Sequence, residues 1–190
     1  PLETASANDT STWIEIVSES DAIIRTLSVI GKHLFITELI DTYSRIKIAD
    51  LNGNSVGEVP LPKKVAVVEP AFPIMRLKHQ KNAEAFLFSF SSFSESWGVY
   101  SYRFGDKKIT ALCKPQIKID NIVVDDHWAN APDGSKIPFH CVRLHDTDAR
   151  APQPTLLFAY GGFNVATPPQ YPAAIAAFIR AGGVYVVAHI

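Results

Sequence analysis

The chain has 190 residues, with hydrophobic residues at 47%, charged residues at 19% and a formal net charge of -1. That composition can fill a core and excludes wholesale disorder. So weak a charge argues against tracking nucleic acid or anionic lipid, and no apolar run reaches the ~18 residues of a membrane-spanning helix. Cys113 and Cys141 are the only cysteines. Two cysteines make neither a disulfide framework nor a four-cysteine zinc site, and they read as free buried thiols of a reducing compartment. The chain opens on Pro1, with no charged segment followed by an apolar one, so no intact signal peptide is expected.

The first two thirds read as short strands. Those at 13–17, 33–39, 43–50, 85–91, 97–104 and 108–113 are rich in Ile, Val, Phe, Tyr and Thr. Arg45-Ile46-Lys47-Ile48 alternates strictly, as a half-buried strand does. Asn52-Gly53 and Gly105-Asp106 are hairpin signals, because such residues tolerate positive φ. A weak internal repeat places Phe35 on Phe88 and Ile40 on Phe93, an offset of 53 residues. A period of that size built from hairpins is the size of a propeller blade.

The texture changes near residue 119. Strands at 121–126 and 137–144 flank a turn at Pro132-Asp133-Gly134, and a polar loop covers 146–154. The run Thr155-Leu156-Leu157-Phe158-Ala159-Tyr160 suits a strand buried on both faces. Gly161-Gly162 breaks it. A helix over 172–181 should follow, with Pro172 at its first position, Ile175, Phe178 and Ile179 on one face, and Gly182-Gly183 at its end. A last strand at 184–190 completes a right-handed βαβ unit. The fold expected is mixed: antiparallel, blade-like β over 1–118, then α/β over 119–190.

Three features attract chemical readings that their contexts do not support. Gly53-Asn54-Ser55-Val56-Gly57 has the G-x-S-x-G spelling of a hydrolase nucleophile. That nucleophile sits between a strand and a helix, whereas Pro60 and Pro62 forbid a helix here, so Ser55 reads as a hairpin serine. His127, His140 and His145 lie near Asp125, Asp126, Asp146 and Asp148, but their spacing has no ligand logic. Phe86, Phe88, Phe90 and Phe93 read as one inward strand face, since the basic interleaving of a base-stacking platform is missing.

The informative segment is Tyr160-Gly161-Gly162-Phe163-Asn164, leaving the carboxyl end of a buried strand, where α/β folds place their sites. From residue types alone it is equally a structural Gly-Gly turn between two core aromatics. The segment resembles the Tyr-Gly-Gly-Phe-Asn stretch of the prolyl oligopeptidase family of serine peptidases. Asp133-Gly134-Ser135-Lys136-Ile137-Pro138 is similar to a turn that precedes it there, and 181–190 is similar to the strand that follows. Ala159 stands where a glycine is common in that family, and His189 where an asparagine is common.

The resemblance implies the last blades of a β-propeller followed by the first strands and helix of an α/β-hydrolase domain. It implies cleavage of short peptides on the carboxyl side of proline by a Ser, Asp, His triad, whose members the family carries beyond the point matching Ile190. Tyr160 would be the side-chain donor to the oxyanion, and Phe163 would line the pocket for the substrate proline. The chain alone would then be inactive. No cofactor and no metal are expected; the partners would be proline-containing peptides, not nucleic acid or membrane, and the parent enzyme a cytoplasmic monomer. Other specificities on the same fold, for a basic residue or an acylated amino-terminal residue, and a non-catalytic propeller module remain alternatives.

Overall fold

A computed structural model describes residues 9–67, 84–148 and 150–190. Three four-stranded sheets make up the described chain. The first is an antiparallel meander of β1 (Ile23–Ile30), β2 (His33–Ile40), β3 (Tyr43–Asp50) and β4 (Ser55–Glu58). The second repeats it with β5 (Ala66–Val67), β6 (Ala85–Ser91), β7 (Gly98–Arg103) and β8 (Lys108–Cys113). Phe35 and Phe88 both fall on second strands, so the internal repeat is a repeat of blades.

The two meanders share one core. Phe35 is 1% exposed and stacks on Phe86 with ring centroids 4.6 Å apart, and Phe90 stacks on Tyr100 at 4.0 Å. Phe86, Phe88 and Phe90 therefore line one inward face of β6, as their period of two required, whereas Phe93 lies beyond the end of that strand and packs in a different cluster. Buried Glu38 on β2 is satisfied by Arg45 Nη2 at 2.7 Å and Lys47 Nζ at 3.1 Å.

The third sheet is mixed, in the order β11 (Thr155–Tyr160), β12 (Val184–His189), β10 (Lys136–Leu144), β9 (Ile122–Asn130). β9 and β10 form a hairpin, β10 and β12 pair antiparallel, and β11 and β12 pair in parallel around the crossover helix α1 (Ala176–Arg180). Val142, Tyr185, Val187 and Ile179 pack with Phe93, which reaches in from the β6–β7 loop. Tyr171 N–H donates to Ser91 Oγ across the same seam at 2.9 Å.

Five expectations need correction. Residues 13–17 are not a strand: a 3-10 turn at Thr10–Thr12, capped by the Asp9 carboxylate, leads into an open segment. The edge strand β1, which the pattern did not single out, pairs instead with β2. The helix spans only Ala176–Arg180, and in the turn before it the Pro172 carbonyl is shared between Ile175 N–H at 2.8 Å and Ala176 N–H at 2.9 Å. Pro172 thus starts the turn and not the helix. In the β7–β8 hairpin the left-handed residue is Lys107, not Gly105 or Asp106. β11 is exposed along its whole length, since it lies at the sheet edge with a single neighbour. Both cysteines are free, but Cys113 is exposed and Cys141 half-buried.

Candidate functional site

Parallel pairing with β12 carries β11 to its carboxyl end at Tyr160, which lies opposite His189. The chain then turns sharply. A Cβ on Gly161 would sit 2.3 Å from the Ile190 carbonyl oxygen, so the close approach of these two strand ends requires glycine. A 3-10 turn at Gly162–Asn164 follows, closed by Val165 N–H donating to the Gly162 carbonyl at 3.1 Å. The Tyr160 hydroxyl folds back over Gly162, 3.3 Å from where a Cβ would stand.

Tyr160, Gly161, Thr167 and His189 form one wall of a cavity of about 320 Å³. The first meander supplies the other wall with Asp21, Ile23, Arg25, Asp41 and Thr42. Phe163 is 95% exposed with φ 56 and lies outside that lining. The structure thus sets Tyr160 and Phe163 on one short turn but turns only Tyr160 toward the cavity.

Ser55 is the first residue of β4 and pairs with Ala49, so it belongs to a strand–turn–strand unit. That is not the strand-to-helix setting of a hydrolase nucleophile. The three central histidines are separated by the pleat. In the β9–β10 register His127 faces Phe139 while Asp126 faces His140, which puts the two histidines on opposite sides of the sheet. His145 is exposed, and among the described residues no group of metal-binding side chains exists.

A polar cluster does exist on that sheet, and sequence reasoning missed it. His140 is 2% exposed. Its Nδ1 lies 2.9 Å from Asp126 Oδ1, and its Nε2 lies 2.7 Å from Thr42 Oγ1. The Tyr43 hydroxyl donates to the same Asp126 oxygen, and Lys64 Nζ lies 3.0 Å from Asp126 Oδ2. Burial pushes the His140 imidazole below its ordinary value, against the pull of Asp126. Burial pushes the Asp126 carboxyl up, but hydrogen bonds from Tyr43, Lys64 and His140 outweigh it and hold it low. Burial, then the Asp126 contact, raises the Tyr43 phenol. At neutral pH this is a neutral imidazole donating to a carboxylate.

His189 packs edge-on to His140 with ring centroids 4.7 Å apart. Burial, and then His140, lowers it to about 4. Its Nε2 is buried with no hydrogen-bond partner among the described residues. The hairpin register about Pro132-Asp133-Gly134 is the signal that could have paired Asp126 with His140 from sequence.

Two propeller-type meanders beside a mixed sheet, with a Tyr-Gly-Gly-Phe turn at a parallel strand's carboxyl end, define an architecture seen in oligopeptidases. No family model matches the chain. It is 26% identical over 181 residues to the prolyl endopeptidase of Elizabethkingia miricola, covering 94% of this chain and 24% of that one. Among solved structures it matches one from a structural and mechanistic analysis of two prolyl endopeptidases, with TM-score 0.83 and 29% identity over 94% of this chain and 26% of that one. Oligopeptidase B from Leishmania major shares the fold, with TM-score 0.78 and 23% identity over 96% of this chain and 27% of that one. The chain is thus similar to proteins of the prolyl oligopeptidase family, and it spans about a quarter of the length of these relatives.

Proposed function

We propose that these 190 residues are part of a serine-type endopeptidase that hydrolyses short peptides on the carboxyl side of proline. Residues 1–118 would belong to its propeller and 119–190 to the first part of its α/β-hydrolase domain. The nucleophile, acid and base would come from segments outside these 190 residues. The observation that carries the reading is Tyr160, which ends a parallel strand on the wall of a cavity between the two kinds of sheet. A phenol held there can aim its O–H at charge that appears only in the tetrahedral intermediate. The apolar, exposed edge of β11, with Leu157 67% exposed, suits a sheet that continues in the larger protein.

The test is steady-state kinetics on a full-length protein carrying this chain, with Gly-Pro reporter peptides and a serine-directed inhibitor. Tyr160→Phe removes one donor and keeps the ring. The expected loss is about 3 kcal/mol of transition-state stabilisation, on the order of a hundredfold in kcat, with KM little changed. Full retention of kcat would remove Tyr160 from the site. Turnover after lysine or arginine but not proline would replace the prolyl specificity with that of a basic-residue oligopeptidase.

A further inference from the structure

Thr167 stands on the same cavity wall as Tyr160, yet it has no part in the chemistry proposed above. The segment that carries it is pinned on both sides. Gly161 lies against the Ile190 carbonyl, Pro169 is fully buried, and Tyr171 N–H is held by Ser91 Oγ. Between these pins the Thr167 hydroxyl oxygen meets His189 Nδ1 at 3.4 Å. We propose that Thr167 is a substrate-binding residue whose hydroxyl, held by His189, donates to a backbone carbonyl oxygen of the bound peptide, next to the carbonyl that Tyr160 serves. The inference rests on the peptidase reading and extends it to a second donor.

The direction of the Thr167–His189 bond follows from which ring nitrogen can find an acceptor. His189 Nε2 is buried with no hydrogen-bond partner among the described residues. The His140 ring packed edge-on against His189 cannot supply one, because its Nδ1 is taken by Asp126 and its Nε2 by Thr42. A proton on Nε2 alone would leave a buried N–H orphaned, and a bare lone pair is the cheaper state there. The ring proton therefore sits on Nδ1 and donates to Thr167 Oγ1. A ring carrying both protons would make the same bond, so its direction does not depend on the charge of His189. Thr167 Oγ1 is then the acceptor toward the ring, and its own O–H is free to donate.

Among the described residues, neither the Thr167 hydroxyl nor that of Tyr160 gives its proton to an acceptor other than the ring contact just described. Val165, Ala166 and Pro168 line the wall beside them and add no side-chain acceptor. Two free donors on one wall of a cavity of about 320 Å³ match a ligand with successive carbonyl oxygens, which an extended peptide backbone presents. The cavity also suits a neutral acceptor better than an anion, because Asp21 and Asp41 outnumber Arg25 on the facing wall. A bond to a carbonyl that does not react is as strong before the transition state as in it. Its loss therefore appears in KM, whereas loss of the Tyr160 donor appears in kcat.

The test is steady-state kinetics on a full-length protein carrying this chain, with Gly-Pro reporter peptides extended on the amino-terminal side so that further carbonyls are present. Thr167→Val keeps the shape and removes the hydroxyl: KM should rise about tenfold, with kcat within about twofold. Thr167→Ser should restore KM. His189→Leu removes the donor that holds the hydroxyl; it should raise KM by less and add nothing to Thr167→Val, and a fully additive rise would overturn the role given to His189. Tyr160→Phe, measured in parallel, separates the two readings. If it loses kcat while Thr167→Val leaves KM unmoved, the Thr167 contact alone is overturned; if it keeps kcat, the site falls and this proposal with it. A KM rise that Thr167→Ser does not restore would make Thr167 a packing residue of its segment and overturn the contact. If Thr167→Val does not fold, Thr167→Ala removes the same hydroxyl and decides.

Discussion

Phe163 carries a large apolar ring that is 95% exposed, on a backbone at φ 56 that disfavours any side chain with a Cβ. Neither fact helps the fold, and strain kept without a packing return points to a role in binding. Phe163→Ala should therefore leave the chain's unfolding free energy within about 0.5 kcal/mol, as surface changes do. On the proposed reading that Phe163 lines a pocket for the substrate proline, the same change in a full-length peptidase should raise KM more than it lowers kcat, because a flat apolar contact is made in both ground and transition states. Denaturant titration and steady-state kinetics read the two halves separately. A variant that lost stability and kept its KM would make Phe163 a structural residue of the turn.

Among elements, the hairpins were the most legible from sequence and the edges the least. Asn52-Gly53 gave the β3–β4 turn correctly, since Gly53 sits at φ 88. A Cβ there would also lie 2.1 Å from the Ile16 carbonyl oxygen, a contact from a distant segment that no local pattern contains. Gly53→Ala should thus cost twice, for the positive φ and for the displaced backbone, in all about 2 kcal/mol or more by thermal or urea unfolding. β1 escaped notice because Ile23, Ile24 and Leu27 are exposed and polar residues fall between them, so no clean alternation marks it. β11 was recognised as a strand, but its burial was misjudged: an apolar run records what a strand can cover, not which neighbours are present. The Tyr160 turn was legible through its glycines and its family likeness. The wider cluster around Asp126 and His140 was not, because Thr42, Tyr43 and Lys64 join the hairpin pair only through tertiary packing.

At the scale of the whole molecule, three sheets are held by two seams, one lined by aromatic rings and one by Phe93 and the polar cluster. One open apolar surface among the described residues is the β11 edge, where Leu156, Leu157 and Phe158 are all exposed. An unpaired apolar edge is a template for association. The isolated chain should self-associate as its concentration rises, and Leu157→Lys should shift that equilibrium toward monomer while changing stability little. Sedimentation at several concentrations checks this; identical association by both proteins would place the sticky surface elsewhere.

The order of pairing has a further consequence, for how the chain reaches this state. In both meanders every strand bonds to its neighbour in sequence, so the loops closed on folding are short, apart from the 17 residues between β5 and β6. β10 instead finds β12 only after β11 and the helix have been laid down between them. During synthesis the blades can assemble as they emerge, while the β9–β10 hairpin waits with one side unmatched. Within these 190 residues, the segment bearing Tyr160 is thus set in place after the two meanders.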